Sequence, residues 1–132
     1  QLEMSARLAN DIPEVPIILN HTGMPFANNA ASRRQWGAGM RAMATAGNVS
    51  VKISALGMAT PGWTADDIRP YVEDTIDIFG VDRCMFASNF PVDSLTSDYT
   101  SIWAAYDEIT SGMSDADRKK LFHDNAVRYY RL

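Results

Sequence analysis

The sequence predicts an α/β fold built on a parallel sheet, and three observations predict it. Three short apolar runs, "IILN", "VSVKI" and "CMFA", each lead into polar residues and an irregular loop. Each is followed by a stretch whose apolar residues recur at helical spacing. Strand, loop and helix thus repeat in that order three times, and consecutive units of this kind give parallel strands with right-handed crossovers.

The elements follow in order along the chain. Leu2, Ala6 and Ala9 are spaced for one face of an opening helix, and "DIPEVP" (Asp11 to Pro16) is a proline-punctuated loop. The first strand, Ile17 to Asn20, is apolar up to its last residue, as suits a strand covered on both faces. "TGMPFANNAASR" (Thr22 to Arg33) is rich in Gly, Pro and Asn and reads as a loop. Trp36, Met40, Met43 and Ala44 then mark a helix, with Gly47 as its stop. Val49, Val51 and Ile53 alternate with Ser50, Lys52 and Ser54, the period of two expected of a strand, and "GMATPGW" is turn material. Thr64 with Asp67 three positions later signals a helix start; Ile68, Tyr71, Val72, Thr75, Ile76 and Phe79 form its apolar face up to Gly80. The third strand, Cys84 to Ala87, ends on Ser88 and Asn89 before Pro91. Tyr99, Ile102, Trp103, Tyr106 and Ile109 make an amphipathic helix, and Ser114 with Asp117 opens a last helix through "RKKLFHDNAVRYY".

A chain of 132 residues has room for one domain with a core and not for two. Apolar residues at 46% and charged residues at 21% are the proportions of a soluble globular protein. The net charge of −4 and the dispersed basic residues exclude the basic stripe of a nucleic-acid binder. No apolar run approaches membrane-spanning length, so neither nucleic acid nor membrane is an expected partner. The single Cys84 cannot form an internal disulfide, which makes a cytoplasmic, reducing location the expectation. The chain opens Gln1-Leu2-Glu3-Met4, already inside a helical pattern and with no signal region, and reads as a piece of a longer protein.

Parallel sheets keep their chemistry at the carboxyl ends of the strands. The residues collected there are Asn20 and His21, then Lys52 and Ser54, then Ser88, Asn89 and, a little further on, Asp93. The imidazole of His21 suits either ligation of a divalent metal or polarisation of a carbonyl, while a carboxylate opposite it activates water. Each candidate has a structural alternative. His21 also reads as a histidine bonded to backbone, Lys52 as an exposed or ion-paired strand lysine, Ser54 and Ser88 as small strand-end residues, and Asp93 as the start of the next turn. His123, beside Asp124 on the last helix, reads as a surface or capping residue, and Met40 and Met43 as core filling. The sequence holds no GxGxxG or GxxxxGK[ST] after a strand, no HExxH, and no second histidine at metal-ligand spacing to His21.

"IILNHTGMP" followed by a Trp-bearing helix, "NVSVKIS", "FGVDRCMFASNFPVD" and the closing "NAVRYYRL" together resemble the C-terminal part of the amidohydrolase-related family (amidohydrolase 2). This is a group of TIM-barrel hydrolases that includes sugar-lactone and pyrone-dicarboxylate lactonases. The resemblance runs from about Pro16 to Leu132 and implies the sixth, seventh and eighth units of a (β/α)8 barrel, a partial TIM barrel of three C-terminal βα units. A complete barrel needs roughly 200 residues or more, so the missing N-terminal half of the barrel, or a second copy of the chain, is the implied partner. The family's His-x-His pair and its other ligands would lie upstream of Gln1.

The resemblance further implies roles for residues of this chain. His21 matches the family histidine that polarises the scissile carbonyl or ligates a divalent metal such as zinc. Asn89 stands where the family usually carries the Asp that activates water, a departure that shifts the carboxylate role to Asp93, if the loop after Pro91 folds back, or to a group upstream. Ser54, Ser88 and Asn89 would position a small-molecule substrate. Met24 stands where some anion-binding relatives carry an Arg, which points to a less charged substrate. The expected activity is hydrolysis of a lactone or related carbonyl compound by the complete protein, with the isolated segment inactive. Two alternatives stand beside it: a metal-dependent decarboxylase or amidase on the same barrel, and a non-catalytic half-barrel that self-associates as a binding module.

Overall fold

A computed structural model describes residues 1–25, 29–59 and 62–132 of the chain. The opening helix α1 (Leu2–Asp11) buries Ala6 and Ala9. A Cβ on Gly39 would meet the Leu2 side chain at 2.8 Å, so the bare glycine is what lets α1 lie close against α2 (Ala30–Ala44). The proline-punctuated loop between α1 and β1 (Ile17–Leu19) is tied down by one side chain. Asn48 donates its amide to the carbonyls of Ala9, Ile12 and Val15, at 3.1, 3.0 and 2.8 Å.

β1, β2 (Val49–Ile53) and β3 (Cys84–Phe86) form one parallel sheet in the order β1-β2-β3, as the three repeated units predict. Ile17 pairs with Val49 and Leu19 with Val51; Val51 pairs with Cys84 and Ile53 with Phe86. Side chains alternate across a strand, so these residues share the face covered by helices. Val49, Val51, Ile53, Cys84 and Phe86 are buried there with Trp36, Met40 and Met43 of α2 and Ile68, Val72 and Phe79 of α3 (Ala65–Phe79). Tyr106 of α4 (Tyr99–Ile109) stacks on Phe86 at 4.3 Å between ring centroids. The burial pushes the Cys84 thiol up to about 12, so it behaves as a small core residue.

The opposite face carries the intervening residues. Ile18 lies beside Ser50 and Lys52 beside Met85. Ser50 and Met85 are buried and Ile18 and Lys52 half-buried.

Several boundaries differ from expectation. The predicted loop from Thr22 to Arg33 ends early, because Asn29 accepts the Ser32 amide at 3.0 Å and starts α2 at Ala30. Phe26, Ala27 and Asn28 of that loop, and Thr60 and Pro61 of "GMATPGW", lie outside the described residues. α2 ends at Ala44, short of Gly47. The start of α3 follows the capping signal: the Thr64 amide donates to the Asp67 carboxylate at 2.8 Å, and Gly80, at φ +77°, closes the helix.

The predicted last helix is three pieces, α5 (Asp115–Lys119), a π-helical turn (Lys120–Asp124) and α6 (Asn125–Tyr130). The wider turn brings Leu121, Phe122 and Asn125 onto β3 together. Phe122 meets the Phe86 ring edge-on, and Asn125 donates to the carbonyls of Val81 and Cys84, both at 2.7 Å.

Candidate functional site

Within three residues of its end, each of the three described strands is followed by a non-glycine residue in the left-handed region. His21 follows β1 at φ +54°, Ala55 follows β2 at +60°, and Asn89 follows β3 at +56°. L-residues avoid this region, at a cost of roughly 1–2 kcal/mol each, and such strain gathers where function needs a fixed geometry. After β1 it extends over four residues. His21, Thr22, Gly23 and Met24 all have positive φ, making a left-handed turn closed by Gly23 N–H to Asn20 O at 3.1 Å and Met24 N–H to His21 O at 2.8 Å.

That turn brings the Nδ1 of His21 to 2.9 Å from the Oγ of Ser54, which is fully buried at the end of β2. The pKa of His21 lies below its ordinary value, first because of burial and then because of the Lys52 charge, opposed by the carboxylate of Asp93. The imidazole is therefore neutral near pH 7, and its tautomer follows the bond to Ser54. With Ser54 donating to Nδ1, Nε2 carries the proton and can donate to a carbonyl. With Nδ1 donating to Ser54, Nε2 offers a lone pair.

The chain after Pro91 turns back. Asp93, on the 3-10 turn Val92–Leu95, is only 3% exposed. Its amide donates to Asn89 O at 3.2 Å, and Asn89 Nδ2 donates to Asp93 Oδ1 at 2.7 Å. Asp93 does not cap the next helix with its side chain. Asp98 does, accepting the Ser101 amide at 2.8 Å. Asn89 thus engages one of the two carboxylate oxygens of Asp93.

The remaining sequence candidates are spread more widely. Ser88 spends its hydroxyl on the Phe90 amide at 3.2 Å, a local turn contact. Met24, 40% exposed, borders a cleft of about 680 Å³ between α1 and α2. Asn20, Gly23 and Trp36 line that cleft with it, whereas His21, Ser54, Asn89 and Asp93 do not. Lys52 is half-buried on the same face as Ser54, and its charge reaches His21. His123 is exposed, with Nδ1 2.9 Å from Asp124, in keeping with a surface role.

Two residues next to the site carried no signal of function. Thr22 is fully buried, and its hydroxyl donates to Ser54 O at 3.4 Å and accepts from Ser54 N–H at 3.3 Å. The indole N–H of Trp36 donates to Thr22 O at 2.7 Å. The apolar periodicity of α2 marks Trp36 as core, and nothing in the local sequence reveals its polar end.

Catalytic zinc takes three protein ligands and a water. Among the described residues no three His, Cys, Asp or Glu side chains are grouped to hold a metal. His21 and Asp93 would supply two donors at most, so this segment does not by itself fit the ion.

Three parallel βα units with polar groups gathered at the strands' carboxyl ends define a partial (β/α)8 barrel of the hydrolase type. A family profile described as "Amidohydrolase" matches residues 1–132, and the chain belongs to that family. It is 52% identical over 132 residues to the uncharacterized protein y4mH of Sinorhizobium fredii, covering all of this chain and 44% of that protein. It is 29% identical over 127 residues to an L-fucono-1,5-lactonase of Burkholderia multivorans, covering 88% of this chain and 43% of the lactonase. Among solved structures, an amidohydrolase of Burkholderia multivorans with bound zinc superposes with a TM-score of 0.93 at 26% identity, over 100% of this chain and 49% of that one. Amidohydrolase 2 of Bifidobacterium longum subsp. infantis, at 24% identity and a TM-score of 0.70, shows the same fold over 99% of this chain and 46% of that one. The chain thus spans about half the length of the relatives it matches.

Proposed function

We propose that the chain is the C-terminal part of a TIM-barrel hydrolase that cleaves a lactone or related carbonyl compound with water, the active site being completed by the rest of the barrel. One observation carries the reading. The carboxyl end of the sheet sets the His21–Ser54 pair within electrostatic reach of a buried carboxylate, Asp93, that Asn89 holds by hydrogen bond. The similarity to an L-fucono-1,5-lactonase supports a lactone as the substrate class.

In this reading Ser54 donates to Nδ1 of His21, and the Nε2–H of His21 hydrogen-bonds the lactone carbonyl oxygen. Water attacks the carbonyl carbon while Asp93, or a carboxylate from the rest of the barrel, takes its proton. The carbonyl π electrons move to the oxygen facing His21. When they return, the ring C–O bond breaks, and the alkoxide recovers a proton to give the hydroxy acid. Desolvation of His21 favours the neutral imidazole, which donates from Nε2 without carrying a charge. Ser54 then acts on the substrate through His21, and Asn89 through Asp93.

The other tautomer defines a second reading, in which Nε2 is one ligand of a divalent metal and the reaction is metal-dependent hydrolysis, decarboxylation or amide cleavage. The zinc bound to the structural relative favours it. When bound, such a metal polarises the carbonyl or lowers the pKa of its water, and the remaining ligands would come from outside this segment.

Assay of the full-length protein against a panel of sugar lactones, before and after chelation and with zinc restored, tests the proposal. Lactone hydrolysis that survives chelation supports the first reading, and hydrolysis restored only by zinc supports the second. A full-length protein that turns over no lactone under either condition, and assembles as a stable oligomer, would move the account to a non-catalytic binding module. The 132-residue segment alone is expected to be inactive.

A further inference from the structure

We propose that Thr22 is the positioning residue of His21, setting the His21–Ser54 pair on which the hydrolytic reading rests. A β-branched residue at φ +54° is a backbone outlier, because its Cβ substituents crowd the neighbouring carbonyl. Thr22 occupies that conformation while fully buried, in the middle of a left-handed turn of four residues. Its carbonyl and its hydroxyl are both engaged from outside the turn. The carbonyl accepts the Trp36 indole N–H at 2.7 Å, and the hydroxyl bridges the amide and carbonyl of Ser54.

These contacts close a ring. His21 is joined to Thr22 by the backbone, Thr22 to the main chain of Ser54 through its hydroxyl, and Ser54 back to His21 through Oγ and Nδ1. The ends of β1 and β2 are therefore stapled beside the imidazole. The ring nitrogen pairs with Ser54 only while His21 keeps its own left-handed conformation, and Thr22 is the next link that enforces it. Without the hydroxyl, the turn can relax toward ordinary φ values and carry the imidazole away from Ser54 into solvent.

The test uses the full-length protein with ¹⁵N-labelled histidine, the His21 resonances being assigned by their loss in His21→Gln. Thr22→Val keeps the shape and removes the hydroxyl; Thr22→Ser keeps the hydroxyl; Thr22→Gly accepts the left-handed backbone at no steric cost but lacks the hydroxyl. In Val and Gly variants the pKa of His21 should rise toward its ordinary value, and its ring shifts should move to the tautomer mixture of a free imidazole. On a lactone substrate, kcat should fall by at least about tenfold with KM nearly unchanged, since a misplaced catalytic group loses turnover before binding. Thr22→Ser should restore both readouts.

Wild-type His21 shifts in a folded Thr22→Val or Thr22→Gly protein overturn the proposal, as does a Ser variant as impaired as Val. If Val fails to fold, Gly decides. The spectroscopic arm stands apart from the reaction. A protein in which His21→Gln leaves hydrolysis intact, while Thr22→Val still displaces the His21 resonances, removes His21 from the chemistry and leaves Thr22 as its positioning residue.

Discussion

Asn89 donates its side-chain amide to Asp93 at 2.7 Å, and Asp93 returns its backbone N–H to the Asn89 carbonyl at 3.2 Å. The residue at the tip of the third strand thus holds the carboxylate four positions on, in a site where the family resemblance leads one to expect an acid at position 89 itself. An amide cannot take a proton from water, but it can orient the group that does.

Replacing Asp93 with Asn should lower kcat of the full-length protein by about 10²–10⁴-fold, the usual loss when a positioned general base is removed. A circular-dichroism melt should show the variant folded, because the Asn side-chain oxygen still accepts from Asn89. Activity within threefold of wild type would assign the base to the rest of the barrel.

Asn89→Asp places two carboxylates within hydrogen-bond distance, and their repulsion makes the second of them ionise at higher pH than a lone carboxylate. The acid limb of the kcat/KM profile should move to higher pH than in the wild type. An unchanged profile would mean that Asp93 does not act in the rate-determining protonation state.

Lys52 and Asp93 pull the pKa of His21 in opposite directions, with Lys52 lowering it. Lys52→Met should therefore raise the His21 pKa and Asp93→Asn should lower it further, read by NMR titration of the ring. Because the folded-state pKa lies below the unfolded value of about 6.5, the unfolded chain binds more protons in the interval between the two. The contribution of His21 to stability is complete above about pH 6.5 and is lost as pH falls through the folded pKa. Lys52→Met should narrow that interval, as denaturant midpoints measured across pH 4.5–7.5 would show.

Trp36→Phe keeps the ring against Tyr71, whose centroid is 5.2 Å away, but removes the N–H that bonds Thr22 O. Leaving that carbonyl unsatisfied should cost about 1–3 kcal/mol in urea unfolding. A loss below a few tenths of a kcal/mol would show that another donor reaches the carbonyl.

The fold was legible because its signals are local and repeated. Period-two alternation in Val49–Ile53 and the capping pair Thr64/Asp67 are each written within a few residues, and the structure follows them. The π turn at Lys120–Asp124 was not legible, since it answers to Phe86 and Cys84 some forty residues upstream. At the site, His21, Ser54, Asn89 and Asp93 were named from their strand-end positions, and the structure brings His21 to Ser54 and Asn89 to Asp93. Ser88 bonds the Phe90 amide and Met24 borders the cleft between α1 and α2, placements set by how the chain turns after each strand. Thr22 and Trp36 were missed for a related reason: their roles depend on four successive left-handed residues, of which only Gly23 has a sequence signature. No helix among the described residues is long and apolar enough to cross a membrane, in line with the hydropathy of the sequence.

The central claim is that His21 acts directly on the carbonyl, and kcat/KM of the full-length protein and its His21→Ala variant on one hydrolysed sugar lactone tests it. The account predicts a loss of about 10²–10⁴-fold in a variant that melts like the wild type. A His21→Ala protein that keeps activity within a few-fold would contradict it.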